Sequence, residues 1–204
     1  MRKALLFSLL VLLLSACSSE NAVKDTVSSY LKKQMKNPDS FKIESIEVRK
    51  DTIPPYLTNE MLSLAEKADD AIDEYNRYKD RSYLWADEKY KASQKMLSTT
   101  EALQSAYEAA MQDEPTIEYV AYVKYSGTNA MGGTVSNRAI VIVDSKDTDK
   151  VLGAFDVDRD FINQFVVIKM VGSKFNFELK QNKFGKYDTE GLPYFEQFVI
   201  NEAD

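Results

Sequence analysis

From Leu57 to Gln112 the chain contains neither glycine nor proline, and alanine, glutamate, lysine, leucine and glutamine dominate it. A stretch without helix breakers or ready turn formers predicts long helix. Met61, Ala65, Ala68, Ile72 and Tyr75 alternate spacings of four and three, which is the seam of a coiled-coil-like helix. Ala86, Tyr90, Ser93, Leu97, Thr100, Leu103, Tyr107 and Met111 continue the pattern as a weaker, more polar stripe. A single helix of that length cannot fold back on itself. The simplest reading is therefore two antiparallel helices with a turn near Asp80 to Ser82. No glycine or proline marks that turn, which leaves one continuous helix as the alternative. Pro54-Pro55 and Pro115 bound the segment, so it reads as a helical insert at about 57–113.

The flanking sequence has a different character. Val23, Val27, Tyr30, Leu31 and Met35 make one apolar stripe on a helix from Asn21 to Lys36. Lysines 32, 33 and 36 sit where cations suit the helix dipole, and Asn37-Pro38 ends the helix. Phe41, Ile43, Ile46 and Val48 predict a strand with a break in alternation near Glu44-Ser45. Beyond Pro115, Ile117–Tyr125 and Arg138–Val143 read as strands. They are joined by a loop in which Gly127, Asn129, Gly132 and Gly133 tolerate positive φ. Val151–Val157 is a third strand of this group. Asp158 caps a predicted helix from Arg159 to about Met170, although its β-branched content keeps a strand as the alternative. Phe175–Leu179 reads as a further strand, and Pro193 as the start of a short helix carrying Tyr194, Phe195 and Phe198. The expected fold class is α+β: an N-terminal helix packed on a mainly antiparallel sheet, with the long helical insertion, as a single domain over 23–204.

The N-terminus has a separate logic. Arg2 and Lys3 precede an apolar run from Ala4 to Leu14, interrupted only by Ser8, and small residues Ser15 and Ala16 lead to the sole cysteine, Cys17. This is the layout of a secretory signal over residues 1–16, too short to span a bilayer as a mature helix. One cysteine excludes a disulfide within the chain. Leu14-Ser15-Ala16-Cys17 resembles the lipobox of bacterial lipoproteins. The resemblance implies that Cys17 carries a diacylglyceryl thioether and an N-acyl chain such as palmitate. Residues 17–22 then serve as a lipidated tether, and the protein is partnered with a membrane through that anchor. It further implies a bacterial cell-envelope location, with Ser18 after the cysteine favouring the outer membrane. Two stretches, Tyr30-Leu31-Lys32 through Lys36-Asn37-Pro38-Asp39-Ser40-Phe41 and Gly127-Thr128-Asn129-Ala130-Met131-Gly132-Gly133, are similar to parts of small exported bacterial α+β domains. That resemblance implies the fold and no activity.

Composition narrows the chemistry. Histidine is absent, which removes the usual general base at neutral pH, the commonest metal ligand and every serine–histidine pair. A lipidated Cys17 offers no nucleophile. Loss of Arg2 and Lys3 would leave 24 basic against 32 acidic residues, a formal charge of −8 that repels nucleic acid. Ser29-x-x-Lys32 lacks the companion motifs of penicillin-interacting enzymes, and the glycines at 127, 132 and 133 fit no phosphate loop. Asp156, Asp158 and Asp160 resemble the start of a calcium loop. Phe161 and Val167 stand where its glycine and glutamate belong, so capping and solvation are the preferred reading over a hard-cation site. No cofactor is expected.

The remaining signal is aromatic. Tyr75, Tyr78, Tyr83, Trp85 and Tyr90 gather around the proposed tip of the insert. Tyrosine and tryptophan carry much interface binding energy, so these residues are candidate contacts for a protein partner in the envelope. The competing reading packs them between the helices. The expectation is a non-enzymatic, lipid-anchored protein binding a partner through its insert. The alternative is a small-ligand or glycan-binding module with contacts at Asn129 and Tyr125, and the weaker one is a carboxylate-dependent envelope hydrolase.

Overall fold

The structure, a computed structural model, describes residues 19–81, 85–128, 131–174 and 193–201. Cys17, Tyr83, Asn129 and the expected strand Phe175–Leu179 lie outside those residues. The fold is α+β, with the expected N-terminal helix, antiparallel sheet and long helical insertion. The chain divides into two units. One is built from the described residues up to Thr52 with Ile117–Val157, and the other from Ile53–Thr116 with the described residues from Asp158 onward. The two C-terminal helices thus belong with the insert.

In the first unit, helix α1 spans 19–34, and strands β1 (Lys42–Ile53), β2 (Thr116–Thr128), β3 (Thr134–Val143) and β4 (Val151–Asp156) form a sheet in the order β1-β2-β3-β4. The β2–β3 hairpin pairs Tyr119 with Val143 through to Thr128 with Thr134. Strand alternation places Tyr119, Ala121, Val123 and Tyr125 of β2 and Ala139, Val141 and Val143 of β3 on one face, where Val23, Val27 and Leu31 of α1 cover them. Each fully buried aliphatic side chain of this kind contributes about 1.5–3 kcal/mol. The residues between, such as Val120 and Ile140, are equally buried, which is why both central strands read as continuous apolar runs. Leu152 has no partner of its own in the β3–β4 register, a bulge that the sequence did not announce.

Proline 38 ends α1 as expected, but the helix stops two residues early and Met35 lies in the bend. A 3-10 turn, Pro38–Ser40, then fastens to the end of β2. Asn37 Nδ2 donates to Thr128 Oγ1 at 2.9 Å, and Ser40 Oγ accepts from the Thr128 backbone N–H at 2.9 Å. The two familiar-looking stretches are therefore stitched together in space. Gly127 belongs to β2 rather than to the loop, and its value is close approach: a Cβ there would overlap the Met35 thioether. Among the described glycines, Gly132 has positive φ, at 79°.

In the second unit, α2 (Asn59–Lys79) and α3 (Ala86–Ala110) form the antiparallel hairpin, joined by α4 (Arg159–Gly172) and α5 (Tyr194–Asn201). Thr58 Oγ1 caps α2 by accepting from Met61 N–H at 3.1 Å. Asp158 Oδ1 caps α4 by accepting from Phe161 N–H at 2.8 Å, and the segment is helix, not strand. Once capped, α4 buries Phe161, Ile162, Phe165, Ile168 and Val171, and this packing outweighs its β-branched content. Met61, Ala65 and Ala68 are buried along α2 as the seam predicts.

The stripe expected for α3 is corrected only in part: Leu103 is buried and Ser93, Thr100 and Tyr107 are partly buried, whereas the expected Ala86, Tyr90, Leu97 and Met111 are exposed. Ala92 and Leu103 are its buried residues, with Met96, Thr99, Ala106 and Ala110 partly buried on the same line, while Tyr90, Leu97 and Met111 stay exposed. Ala65, Ala68 and Ala71 of α2 and Ala92 of α3 are all buried, and side chains this small let helices pack closely.

A polar group is locked into this apolar unit. Glu196 of α5 is only 5% exposed. Its Oε1 accepts from Lys169 Nζ at 2.8 Å and from the Tyr56 hydroxyl at 3.2 Å, whereas Oε2 has no hydrogen-bond partner among the described residues. Burial, reinforced by the Glu196 charge, pushes the Tyr56 phenol well above its ordinary range. Tyr56 stacks on Tyr107 with centroids 5.2 Å apart, and Phe165 meets Phe195 edge-on at 5.9 Å.

Candidate functional site: the tip of the helical hairpin

At the tip, α2 ends on Tyr78 and Lys79, and α3 starts after Trp85. Arg77 and Lys79 lie in the last turn of α2, where positive charge complements the exposed carbonyls, and Lys89 Nζ reaches across from α3 to the Lys79 carbonyl. Lower down, Lys95 Nζ meets Glu74 Oε2 at 2.7 Å and ties the two helices together. The hydrogen bond from Lys95 holds the Glu74 carboxyl below its ordinary range. On the same helix, partial burial and then the neighbouring Asp73 and Asp70 charges hold the Asp69 carboxyl above its ordinary range.

With the helix ends held in this way, the rings of Tyr78 and Trp85 come to 6.1 Å, tilted by 31°. The Arg81 guanidinium lies over both, 5.5 Å from the Tyr78 centroid and 5.3 Å from that of Trp85. Arg81 has no carboxylate partner among the described residues, so its planar donor fork is held by the rings and turned to solvent. Trp85 is 41% exposed and Tyr90, further along α3, 66%. Tyr75 is half-buried on α2, apart from the Arg81 contact. Of the aromatic candidates, the structure joins Tyr78 and Trp85, leaves Tyr90 open beside them in sequence, and does not describe Tyr83. Arginine 81 was missed in the sequence. It lies beyond the end of α2, where helical spacing no longer applies, so the one signal for it is a cation placed between two aromatic residues of the turn.

The second candidate region lies in the first unit. Helix α1 is about 24 Å long at 1.5 Å per residue, whereas the 13 residues of β2 extend about 44 Å. The sheet face therefore outruns the helix and leaves a cleft of about 490 Å³ between the end of α1 and strands β2, β3 and β4. Tyr125 forms part of its lining, with Tyr30, Lys36, Asn137 and Asp156 around it. The Tyr125 hydroxyl donates to Asp156 Oδ1 at 3.1 Å, and its ring lies 5.8 Å from that of Phe41. Burial, followed by the Asp156 charge, pushes the Tyr125 phenol up to about 12.

The acidic series has separate local duties. Asp156 ends β4 and accepts from Tyr125, Asp158 caps α4, and Asp160 sits exposed in the first turn of α4, where negative charge suits the dipole. Among the described residues no group of three or more acidic, histidine or cysteine side chains is placed to hold a metal ion. No helix among them is long and apolar enough to cross a membrane. The chain matches no known family model, no characterised protein and no solved structure.

Proposed function

We propose that this is a lipid-anchored protein of the bacterial cell envelope, non-enzymatic, which binds a protein partner through the tip of its helical hairpin. The observation that carries the reading is the Arg81 guanidinium laid over Tyr78 and Trp85 at an exposed helix–helix turn. Arginine, tryptophan and tyrosine are the residue types that dominate interface energetics, and a guanidinium already oriented by rings loses little entropy when a carboxylate arrives. The lipobox-like ending at Cys17 supports the anchoring half of the reading.

A photo-crosslinking residue placed at Tyr90 in intact cells tests the partner half. A discrete adduct is expected that disappears with Arg81→Glu or Trp85→Ala. An unchanged adduct pattern in both variants refutes the tip as the contact. Cys17→Ser tests the anchor: metabolic labelling with a palmitate analogue should be lost and the chain should leave the membrane fraction.

A second reading rests on the cleft beside Tyr125. It places Lys36 and Asp156 at one opening whose charges balance, with tyrosines and the Asn137 amide nearby, a lining suited to a neutral, hydroxyl-rich ligand such as a glycan. Saturation-transfer NMR with oligosaccharides, compared between the parent chain and Tyr30→Ala, decides it; absence of transfer removes this reading.

A further inference from the structure

Along α3, Tyr90, Leu97, Gln104 and Met111 recur every seven residues, so they form one line down the helix. The inner contacts of α3 use a different line, through Ala92 and Leu103. The heptad line faces out: Leu97 and Met111 are each 48% exposed, and Tyr90 still more so. Beside Leu97 a groove of about 650 Å³ opens between α3 and the end of α4, with Val171 in its lining and Glu101 and Glu108 on the α3 side. Lys174 is the one cation in that lining and stands 3.6 Å from Glu108, while Glu101 has no ion-pair partner among the described residues.

We infer that this line and groove dock an amphipathic helix with basic flanks, belonging to the protein partner. The inference rests on the partner reading above and names the element that the partner presents. Heptad spacing selects a helix, because only a helix returns an apolar side chain to the same line every seven residues. From Tyr90 to Met111 the line runs about 32 Å, the length of three heptads. The unbalanced Glu101 selects lysine or arginine on the flank of the incoming helix. The same charge disfavours a second copy of this chain: a two-fold contact through the groove would set acidic residues against their own copies.

The test uses the full lipidated chain in detergent and two fluorescent three-heptad peptides, both with leucine at a and d, one with lysine and one with glutamate at e and g. The lysine peptide should bind and the glutamate peptide should not. Leu97→Glu, a change at an exposed position, should weaken lysine-peptide binding by at least about tenfold while circular dichroism stays unchanged. Glu101→Lys should reverse the preference between the peptides. Equal binding of both peptides, no binding of the lysine peptide to folded chain, or indifference to Leu97→Glu overturns the inference. So does sedimentation as a dimer that Leu97→Glu dissociates, since a second copy then occupies the line. The in-cell adduct at Tyr90 separates the two readings. If it persists while the lysine peptide fails to bind, the partner reading stands and the helix-docking inference falls. If the adduct is absent while the peptide binds as expected, the docking chemistry stands and the partner reading falls.

Discussion

Replacing Lys169 by methionine isolates the electrostatics of the helical unit. Methionine keeps much of the lysine stem's packing and removes only the ammonium. What is left is the Glu196 carboxylate, 5% exposed, with the Tyr56 hydroxyl at 3.2 Å on Oε1 and no partner for Oε2 among the described residues. Removing one partner of a buried pair costs about 3–5 kcal/mol, most of it the uncompensated charge. Loss of the ammonium 5.8 Å above the Tyr56 ring removes a further contact of about 0.5–1 kcal/mol. The reciprocal change, Glu196→Gln, is milder, about 1–2 kcal/mol, because the Lys169 side chain keeps 20% of its surface exposed and its ammonium can turn toward water. The double change Lys169→Met with Glu196→Leu should recover most of the loss, as an apolar core tolerates the absence of both charges better than of one. Urea unfolding followed by the fluorescence of Trp85, the sole tryptophan, reports this unit. With an m-value of about 1.5 kcal/mol/M, Lys169→Met lowers the midpoint by about 2–4 M. A midpoint shift below about 0.3 M, or a larger loss from Glu196→Gln than from Lys169→Met, refutes the assignment of a buried, charge-compensating pair.

Raising the pH should destabilise the first unit between about 10 and 12 through Tyr125. Its folded pKa, about 12, lies above the ordinary value of 10.0, so the unfolded chain gives up the proton first and its contribution, complete below 10, is lost as pH rises through the folded value. Tyr125→Phe should remove that slope in a base titration of stability and cost about 0.5–1.5 kcal/mol at neutral pH for the hydrogen bond to Asp156. Asp69→Asn should stabilise α2 at pH 7 by about 0.2–0.5 kcal/mol, since the carboxyl is held above its ordinary range by burial and by Asp73 one turn on. That gain should vanish as the pH falls below the ordinary carboxylate range, which thermal melts at pH 3 and 7 will show. Gly172→Ala should cost about 1–3 kcal/mol, because a Cβ there comes within 2.6 Å of the Tyr107 ring; Gly172→Ala with Tyr107→Leu should restore part of it in the same melts.

Much of the fold can be traced to local chemistry. Apolar residues at 23, 27 and 31 recur once per helical turn, and the proline at 38 forbids continuation, so α1 follows from backbone geometry alone. The Asp158 cap and the Val/Tyr alternation of β2 are equally local. The aromatic cluster at the hairpin was visible for the same reason, since a turn near Asp80 must bring neighbouring residues together. Arg81 was overlooked because its partner is a ring face, which leaves no charge pattern in the sequence.

The α3 error shows where that reasoning stops. Leu103 and Tyr107 turn inward as their size suggests, but Tyr90, Leu97 and Met111 stay exposed while the smaller Ala92, Thr99 and Ala106 are covered, so a ranking by hydrophobicity placed only part of the buried face. Periodicity states that a helix has a stripe; it does not state which stripe a neighbour can accommodate. Likewise Glu196 looks like a surface residue until Lys169 and Tyr56, distant in sequence, enclose it. The sequence by itself determined the class of fold, the bounds of the helical insert and the cap of α4 at Asp158, because capping, proline geometry and side-chain period act over a few residues. Only the tertiary structure decided which face of α3 is buried, where the charges of the helical unit are paired and where the sheet is left open. Those choices depend on shape and charge complementarity between residues that meet only once the chain has folded.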